Sequence, residues 1–306
     1  MLGLVGYGGV KAYMYYKAKQ DIDMLLAPAR LFMQVDYDRI STSVFGPVGI
    51  KGLEFRVPQI EEEVSVGEVL LEKFDQDGAL TSGHVPSRIR FTMNDVRMNV
   101  SLLEKMEKFA EQQKQRSGIR TDDTPEVIRR LGYGALYNRL GDFRDLGYDQ
   151  IVADMSIDLD FNQADKEATL ILTHNMQDLG DMSLMMKMAD MSSNINAAVL
   201  GVKLKEVKLV FTDDSYVERV FRMFAREKNT EADKLRQEVI AGLDEELASK
   251  QIKLNQDAVN NLKAFMNKPN KLIVTMYPFR PVGVESIKHY KPGDVPMLLN
   301  LQVYSE

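Results

Sequence analysis

The amino-acid sequence predicts an α+β fold, in which antiparallel β-sheets pack against amphipathic helices and are preceded by an N-terminal membrane helix. Three observations support this fold class. Residues 154–161 alternate between apolar and polar side chains, which is typical of a strand with one buried and one solvated face. A strand followed by an amphipathic helix occurs twice, at 88–110 and at 202–225. Residues 1–20 are apolar and glycine-rich and end in tyrosines and lysines.

The opening segment is predicted to be a membrane anchor. Its aliphatic residues come first, tyrosines follow, and a lysine comes last, an order found where a helix meets the lipid headgroups. A full span needs roughly 20 apolar residues and only about twelve are present, so we expect the apolar run to begin upstream of this numbering. The residues assigned to the anchor are Leu2, Leu4, Val5, Val10, Tyr13, Tyr15, Tyr16 and Lys17.

Three alternatives to a spanning anchor stay open. The segment could be a short helix that enters the bilayer without crossing it. A signal peptide cleaved near Ala27-Pro28-Ala29 is less consistent with the sequence, because this site lies far from the apolar residues. A buried N-terminal helix of a cytosolic domain is the third alternative. An uncleaved anchor remains the interpretation that the order of residues favours.

The rest of the chain is predicted to consist of two halves separated by a joint. The first half has strands within 31–57, at 64–71 and at 89–100, followed by a helix that begins at Ser101. The second half is a β-meander followed by helices at 213–227, 230–249 and 255–267, with closing strands within 271–281 and at 296–304. Pro278 and Pro281 limit the first closing strand to its pre-proline part or to an edge. The predicted units are the anchor and juxtamembrane helix (1–29), the first half (30–120), the joint (121–150) and the second half (151–306).

Composition excludes several classes of function. The chain has no cysteine, which excludes disulfides, thiolate catalysis and zinc–cysteine sites. A net charge of -6 argues against a nucleic-acid partner, because neutralising phosphates requires clustered lysine and arginine. With 44% hydrophobic and 27% charged residues, the balance is that of an ordinary globular protein.

No motif for catalysis, cofactor binding or metal binding is recognised in the sequence. The histidines His84, His174 and His289 lie far apart, without the spacing of a histidine metal site. No serine lies in a nucleophile motif, and no pair of carboxylates is placed for acid–base chemistry. We therefore predict a protein that is not an enzyme, with no catalytic, cofactor-binding or metal-ligating residue assigned.

Methionines are concentrated in one predicted strand. Five of them fall within residues 182–191, and His174 and Met176 lie just upstream. We interpret the cluster as core packing, with an apolar groove for a ligand or partner as the first alternative and a Cu(I) site as the second. The groove would be covered by helices 213–227 and 230–249. Its assigned residues are Met182, Leu184, Met186, Met188, Phe221 and Phe224.

Two stretches of the chain carry a resemblance to a known group of proteins. The motif FGPVGIKGLEFRV at 45–57 follows the predicted anchor, and residues 204–221 and 258–282 join strands to helices and to a proline-interrupted strand. In these features the chain resembles YdgA/AsmA-like proteobacterial proteins, which are anchored in the inner membrane. The resemblance implies a β-rich body in the periplasm that handles lipid or contacts another envelope protein, and it carries no catalytic positions.

Together these observations predict a membrane-tethered, non-catalytic envelope protein that serves as an accessory or structural subunit of a larger membrane-protein assembly. The alternative is a periplasmic module that binds lipid or another apolar ligand. The expected partners are the membrane, a membrane protein and, for the alternative, a lipid. No nucleic acid and no cofactor are expected, and the predicted location is the bacterial inner membrane with the body in the periplasm.

Overall fold

The described part of the chain is dominated by one antiparallel β-sheet of eleven strands. The computed structural model describes residues 15–20, 22–23, 26–27, 30, 33–42, 47–57, 62–74, 84–106, 108, 142–194, 197, 201–287 and 289–306. The strands are β1 (Gln34–Ser41), β2 (Val48–Val57), β3 (Glu62–Phe74), β4 (Arg88–Asn99), β5 (Gln150–Asn162), β6 (Glu167–Met176), β7 (Gly180–Ala189), β8 (Lys203–Asp213), β9 (Lys271–Met276), β10 (Val282–Gly283) and β11 (Leu301–Ser305).

The strands follow chain order across the sheet. Each strand from β1 to β9 pairs antiparallel with the next, β11 pairs with the outer side of β9, and β10 pairs with the beginning of β8. Short turns join β5 to β6 and β6 to β7, because a tight turn reverses the chain beside itself, whereas much longer segments join β4 to β5 and β8 to β9. The strands nevertheless keep a meander order across the whole sheet.

The predicted fold class is wrong in its architecture. Separate sheets were expected in the two halves, but β4 pairs with β5 from Arg88 opposite Asp160 to Asn99 opposite Gln150. Alternation within a strand indicates which residues share a face, but it does not indicate which strand is the neighbour. Residues 121–141 of the predicted joint lie outside the described residues.

The predicted N-terminal membrane helix is not found among the residues that the structure describes. In the part of the chain that the structure describes, no helix is both long and apolar enough to cross a bilayer. Residues 15–20 are helical, and Ala18 and Ile22 are buried against the first strands of the sheet, while Tyr15, Tyr16 and Lys17 are exposed. The remaining assigned anchor residues, Leu2, Leu4, Val5, Val10 and Tyr13, lie outside the described residues.

An irregularity in the pairing of the first strands places two apolar residues on the same face of the sheet, although they are three positions apart in the sequence. Ile50 and Leu53 are both buried, although strict alternation would put them on opposite faces. Gly52 lies between them at φ +61°, in the left-handed region that glycine adopts without strain. A Cβ atom at Gly52 would also collide with the carboxylate of Asp38 on β1. Glycine is required here by both the backbone conformation and the close approach.

Three long helices follow β8 and cover one end of the sheet. They are α1 (Tyr216–Glu227), α2 (Ala232–Ser249) and α3 (Gln256–Asn267), and they confirm the three helices predicted for this region. The backbone N–H of Val217 donates to Asp213 Oδ1 at 2.9 Å, and that of Ala258 donates to Asn255 Oδ1 at 2.7 Å. These side chains satisfy N–H groups that have no partner inside the first turn of a helix.

The apolar face of the sheet is covered in separate regions. The helical core packs α1 to α3 and the helix Asp142–Asp145 against β8, β9, β11 and the first residues of β5. The N-terminal core packs Ala18 and Ile22 against β1 to β3. The third core gathers Phe161, Ala168 and their neighbours at the other end of β5 and β6. A further cluster lies between α2 and α3.

Candidate functional site

Between these cores, one face of β5 to β8 carries a continuous set of apolar side chains. Cross-strand pairing places Ile157, Leu172, Leu184 and Leu209 directly opposite one another in a single row. The row continues to Phe91 of β4 on one side and, through Val274, to β11 on the other. We name the central set the apolar band. It comprises Met155, Ile157, Leu170, Leu172, Met182, Leu184, Met186, Val207 and Leu209.

Side chains of the apolar band are exposed or half-buried. Ile157 is 42% exposed, and Met155 and Met182 are exposed to a similar degree. By contrast, Ile151 and Ala153, which precede them on the same face of β5, are buried in the helical core. None of the band residues belongs to any of the core clusters formed by the described residues. The band is thus an apolar floor bordered by packed regions.

The structure separates the predicted groove residues into two groups. Met182, Leu184 and Met186 alternate along β7 and lie together in the apolar band. Met188 shares their face but packs against the third core. Phe221 and Phe224 of α1 are buried in the helical core instead of facing the band. They lie in this core because α1 is strongly amphipathic and packs its apolar side against the sheet and the neighbouring helices.

One row of the band contains a histidine that the sequence did not connect with its neighbours. His174 of β6 lies directly opposite Met155 of β5 and directly opposite Met182 of β7. Burial lowers the pKa of His174 below its ordinary value, so the neutral imidazole is favoured. Among the described residues no hydrogen bond or ion pair involves this imidazole. In the sequence, His174 could be seen to lie just before the methionine cluster. Its neighbour Met155 is distant in the sequence and is brought beside it only by strand pairing.

The opposite face of the same strands is polar. A depression of about 520 Å³ lies over β3 to β8. In it, the guanidinium of Arg90 donates to Asp158, with Nε at 2.7 Å from Oδ2, and the hydroxyls of Ser156 and Thr173 are 2.6 Å apart. These groups bind one another, as is typical of a solvated sheet face. In the described chain, no group of three or more histidine, aspartate or glutamate side chains could hold a metal ion.

A connecting segment between β9 and β11 presents large apolar side chains to solvent. Phe279 is 91% exposed, and Tyr277 and Met297 are also exposed. The backbone of this segment is held to its neighbours, since Asn300 Nδ2 donates to the carbonyl oxygen of Tyr277 at 3.1 Å. The Tyr277 hydroxyl forms a hydrogen bond with Glu206, which raises the pKa of the tyrosine. We name Tyr277, Phe279 and Met297 the exposed patch.

Comparison with known protein families covers the part of the chain that contains the apolar band. A family model described as "Uncharacterized protein" matches residues 152–306, just over half of the 306 residues. The chain belongs to this family. The family region includes β6 to β11, the three long helices and nearly all of β5, so it holds both the apolar band and the exposed patch. No curated protein matches the chain. The resemblance to YdgA/AsmA-like proteins stays a prediction.

Proposed function

We propose that the protein is a non-catalytic binding module whose apolar band holds the acyl chain of a lipid. The observation that carries this proposal is the row formed by Ile157, Leu172, Leu184 and Leu209, which pair directly across four strands yet lie outside the packed cores. An apolar surface of this kind costs free energy in water, and each CH₂ group of a ligand buried on it gains about 0.8 kcal/mol.

The dimensions of the band suit an extended chain. Strands in a sheet lie about 4.8 Å apart, so β5 to β8 span about 14 Å across the row. Bordering cores limit the band on the sides toward β4 and toward the helices. The neighbouring polar side chains alternate to the opposite face of the sheet, so a ligand on the band would meet mainly aliphatic and thioether groups. These features support an aliphatic ligand over a charged or aromatic one.

The experiment measures binding of a fluorescent long-chain fatty acid to the full-length protein. The test variant is Ile157→Asn, and the matched control is Ile171→Asn on the neighbouring strand, whose side chain belongs to the opposite face. An amide without a partner on the band is expected to weaken binding about tenfold, because an unpaired buried polar group costs about 1–3 kcal/mol. Binding by Ile171→Asn should stay within about twofold of the unsubstituted protein. Absence of binding, or equal losses in both variants, would overturn the proposal.

A second role, as an accessory subunit of a membrane-protein assembly, is favoured by the exposed patch. Phe279 is 91% exposed, and large exposed aromatic side chains are enriched where proteins dock. We infer that a partner protein would cover this side chain. The sequence alone favours this accessory role. We rank ligand binding above it because the register of the sheet places the apolar side chains in one row. The envelope location that the resemblance implies stays a prediction.

The accessory role is tested by purifying full-length protein from native membranes in mild detergent and identifying co-purifying proteins by mass spectrometry. The test variant is Phe279→Asp, and the control is Met106→Asp, which changes another exposed apolar side chain. A stoichiometric partner should be lost with Phe279→Asp and kept with Met106→Asp. If the partner is lost in neither variant, or in both variants, the result would count against docking through the exposed patch.

A further inference from the structure

Three soft donor groups lie side by side on adjacent strands of the apolar band. His174 is the central member, with Met155 opposite it on β5 and Met182 opposite it on β7. Directly opposite residues on neighbouring antiparallel strands have Cβ atoms about 4.5–5.5 Å apart and lie on the same face. The two thioethers therefore flank the imidazole from opposite sides.

The spacing allows all three groups to reach one ion. Met155 and Met182 are separated by two strand spacings, or about 10 Å. Each methionine has a flexible, unbranched side chain, so its sulfur can turn toward the strand that carries His174. Bonds from a metal to sulfur and to imidazole nitrogen are about 2.0–2.3 Å long. An ion above the imidazole can thus be approached by one sulfur from each side.

The chemistry of the three groups selects the type of ion. Thioether sulfur is a soft ligand that favours Cu(I), and imidazole binds copper in its neutral form. His174 is half-buried and has no other partner among the described residues. The nearest carboxylates along the strands, those of Asp154 and Asp181, alternate to the opposite face of the sheet. Hard ions that prefer carboxylate oxygen are therefore disfavoured at this position.

We propose that Met155, His174 and Met182 form a binding site for one Cu(I) ion. The site is completed on one side by Phe211, which lies opposite Met182 on β8 and packs against the helical core. An aromatic ring at this position shields the ion from water on the helical side. The inference goes beyond the proposed lipid binding and does not depend on it. The two also differ in their readouts, since one measures a fatty acid and the other a metal.

The experiment titrates full-length protein with Cu(I) under reducing, oxygen-free conditions, in competition with a chromophoric Cu(I) chelator. One ion is expected to bind per chain. Met182→Leu and His174→Leu should each weaken binding by about tenfold or more, because even partners outside the ligand shell change metal affinity about 10–100-fold. Met186→Leu is the matched control, since Met186 lies on the same strand and face but two rows of the band away. The Cu(I) affinity of Met186→Leu should stay within about twofold of that of the unsubstituted protein.

X-ray absorption of the copper-loaded, unsubstituted protein gives a second measurement that does not depend on variants. The expected shell contains two sulfur atoms and one nitrogen atom. Failure of the unsubstituted protein to compete for Cu(I) would overturn the site. So would a copper shell without sulfur, or equal losses in Met186→Leu and Met182→Leu. Mg(II) serves as the hard-ion control and should not displace Cu(I).

Discussion

The carboxylate of Glu206 on β8 lies 2.7 Å from the Nζ atom of Lys187, its direct neighbour on β7. Glu206 is only 8% exposed and is the one buried charged or polar side chain in the part of the chain that the structure describes. Burial by itself would raise the pKa of Glu206, but the hydrogen bonds from Lys187 and Tyr277 outweigh it and the pKa is lowered. The hydrogen bond from Tyr277 connects Glu206 to the segment that carries the exposed patch.

Removing the ammonium partner of Glu206 should destabilise the fold. In Lys187→Met, the carboxylate keeps only the Tyr277 hydroxyl, and the expected loss in free energy of unfolding is about 1–2 kcal/mol. This figure lies below the cost of breaking a fully buried pair, because the side chain of Lys187 is itself 47% exposed. The control is Lys205→Met, which breaks the exposed pair with Glu167 and should cost less than about 0.5 kcal/mol. Urea unfolding measures both values, and equal losses would contradict this role for Glu206.

The same pair predicts a pH dependence of stability. The folded-state pKa of Glu206 is lowered from the ordinary value of 4.5, so the folded state favours the ionised carboxylate. The contribution of the ionised Glu206 carboxylate to stability is therefore fully present above the unfolded-state pKa. It is lost as pH falls through the folded-state pKa. The difference in unfolding free energy between the unsubstituted protein and Glu206→Gln should be constant at neutral pH and shrink below about pH 4.5. A difference that grows on acidification would contradict the direction of the shift.

Gly52→Ala should destabilise the N-terminal core. The backbone at Gly52 has φ +61°, and a left-handed conformation costs a non-glycine residue about 1–2 kcal/mol. The control is Gly242→Ala in the interior of α2, where a Cβ atom would meet no atom within 4 Å. That substitution should stabilise the protein by about 0.5–1 kcal/mol, since alanine favours helix more than glycine does. Thermal unfolding of both variants shows whether each substitution raises or lowers the stability. A Gly52→Ala variant that is more stable than the unsubstituted protein would contradict this explanation.

Truncating the apolar band should cost little stability. Ile157→Ala is expected to lower the free energy of unfolding by less than about 1.5 kcal/mol, because the side chain is already 42% exposed. Leu243→Ala in α2, where Leu243 is 2% exposed, should cost about 3 kcal/mol through the lost contacts and the cavity left behind. Denaturant unfolding compares the two. A loss for Ile157→Ala as large as that for Leu243→Ala would mean that the band is part of the packed core.

Local periodicity predicted much of the secondary structure. The alternation at 154–161 is confirmed by β5, and the amphipathic helix predicted at 213–227 is confirmed by α1. The arrangement of the strands was not predictable in this way. Nothing in the alternation of β4 or β5 shows that they are neighbours, because roughly fifty residues of chain separate them and strand pairing is a long-range contact.

The candidate site was predictable only in part. Met182, Leu184 and Met186 were recognised as sharing a face because side chains alternate with a period of two. Ile157 and Leu172 were not assigned to the site, since their place opposite Leu184 depends on the register between strands. Phe221 and Phe224 were assigned to it because the helix that carries them was expected to cover the groove, but the direction in which α1 packs puts them in the helical core.

The sequence by itself determined which residues alternate along each strand and which side of each helix is apolar, because both are set by the chain's local geometry. It also determined that cysteine chemistry is absent. Only the tertiary structure decided that a single sheet holds all the strands of the described residues, and that His174 lies between Met155 and Met182. Such neighbours are brought together by pairing register and by the packing of helices on part of one face. Both depend on contacts between residues far apart in the chain.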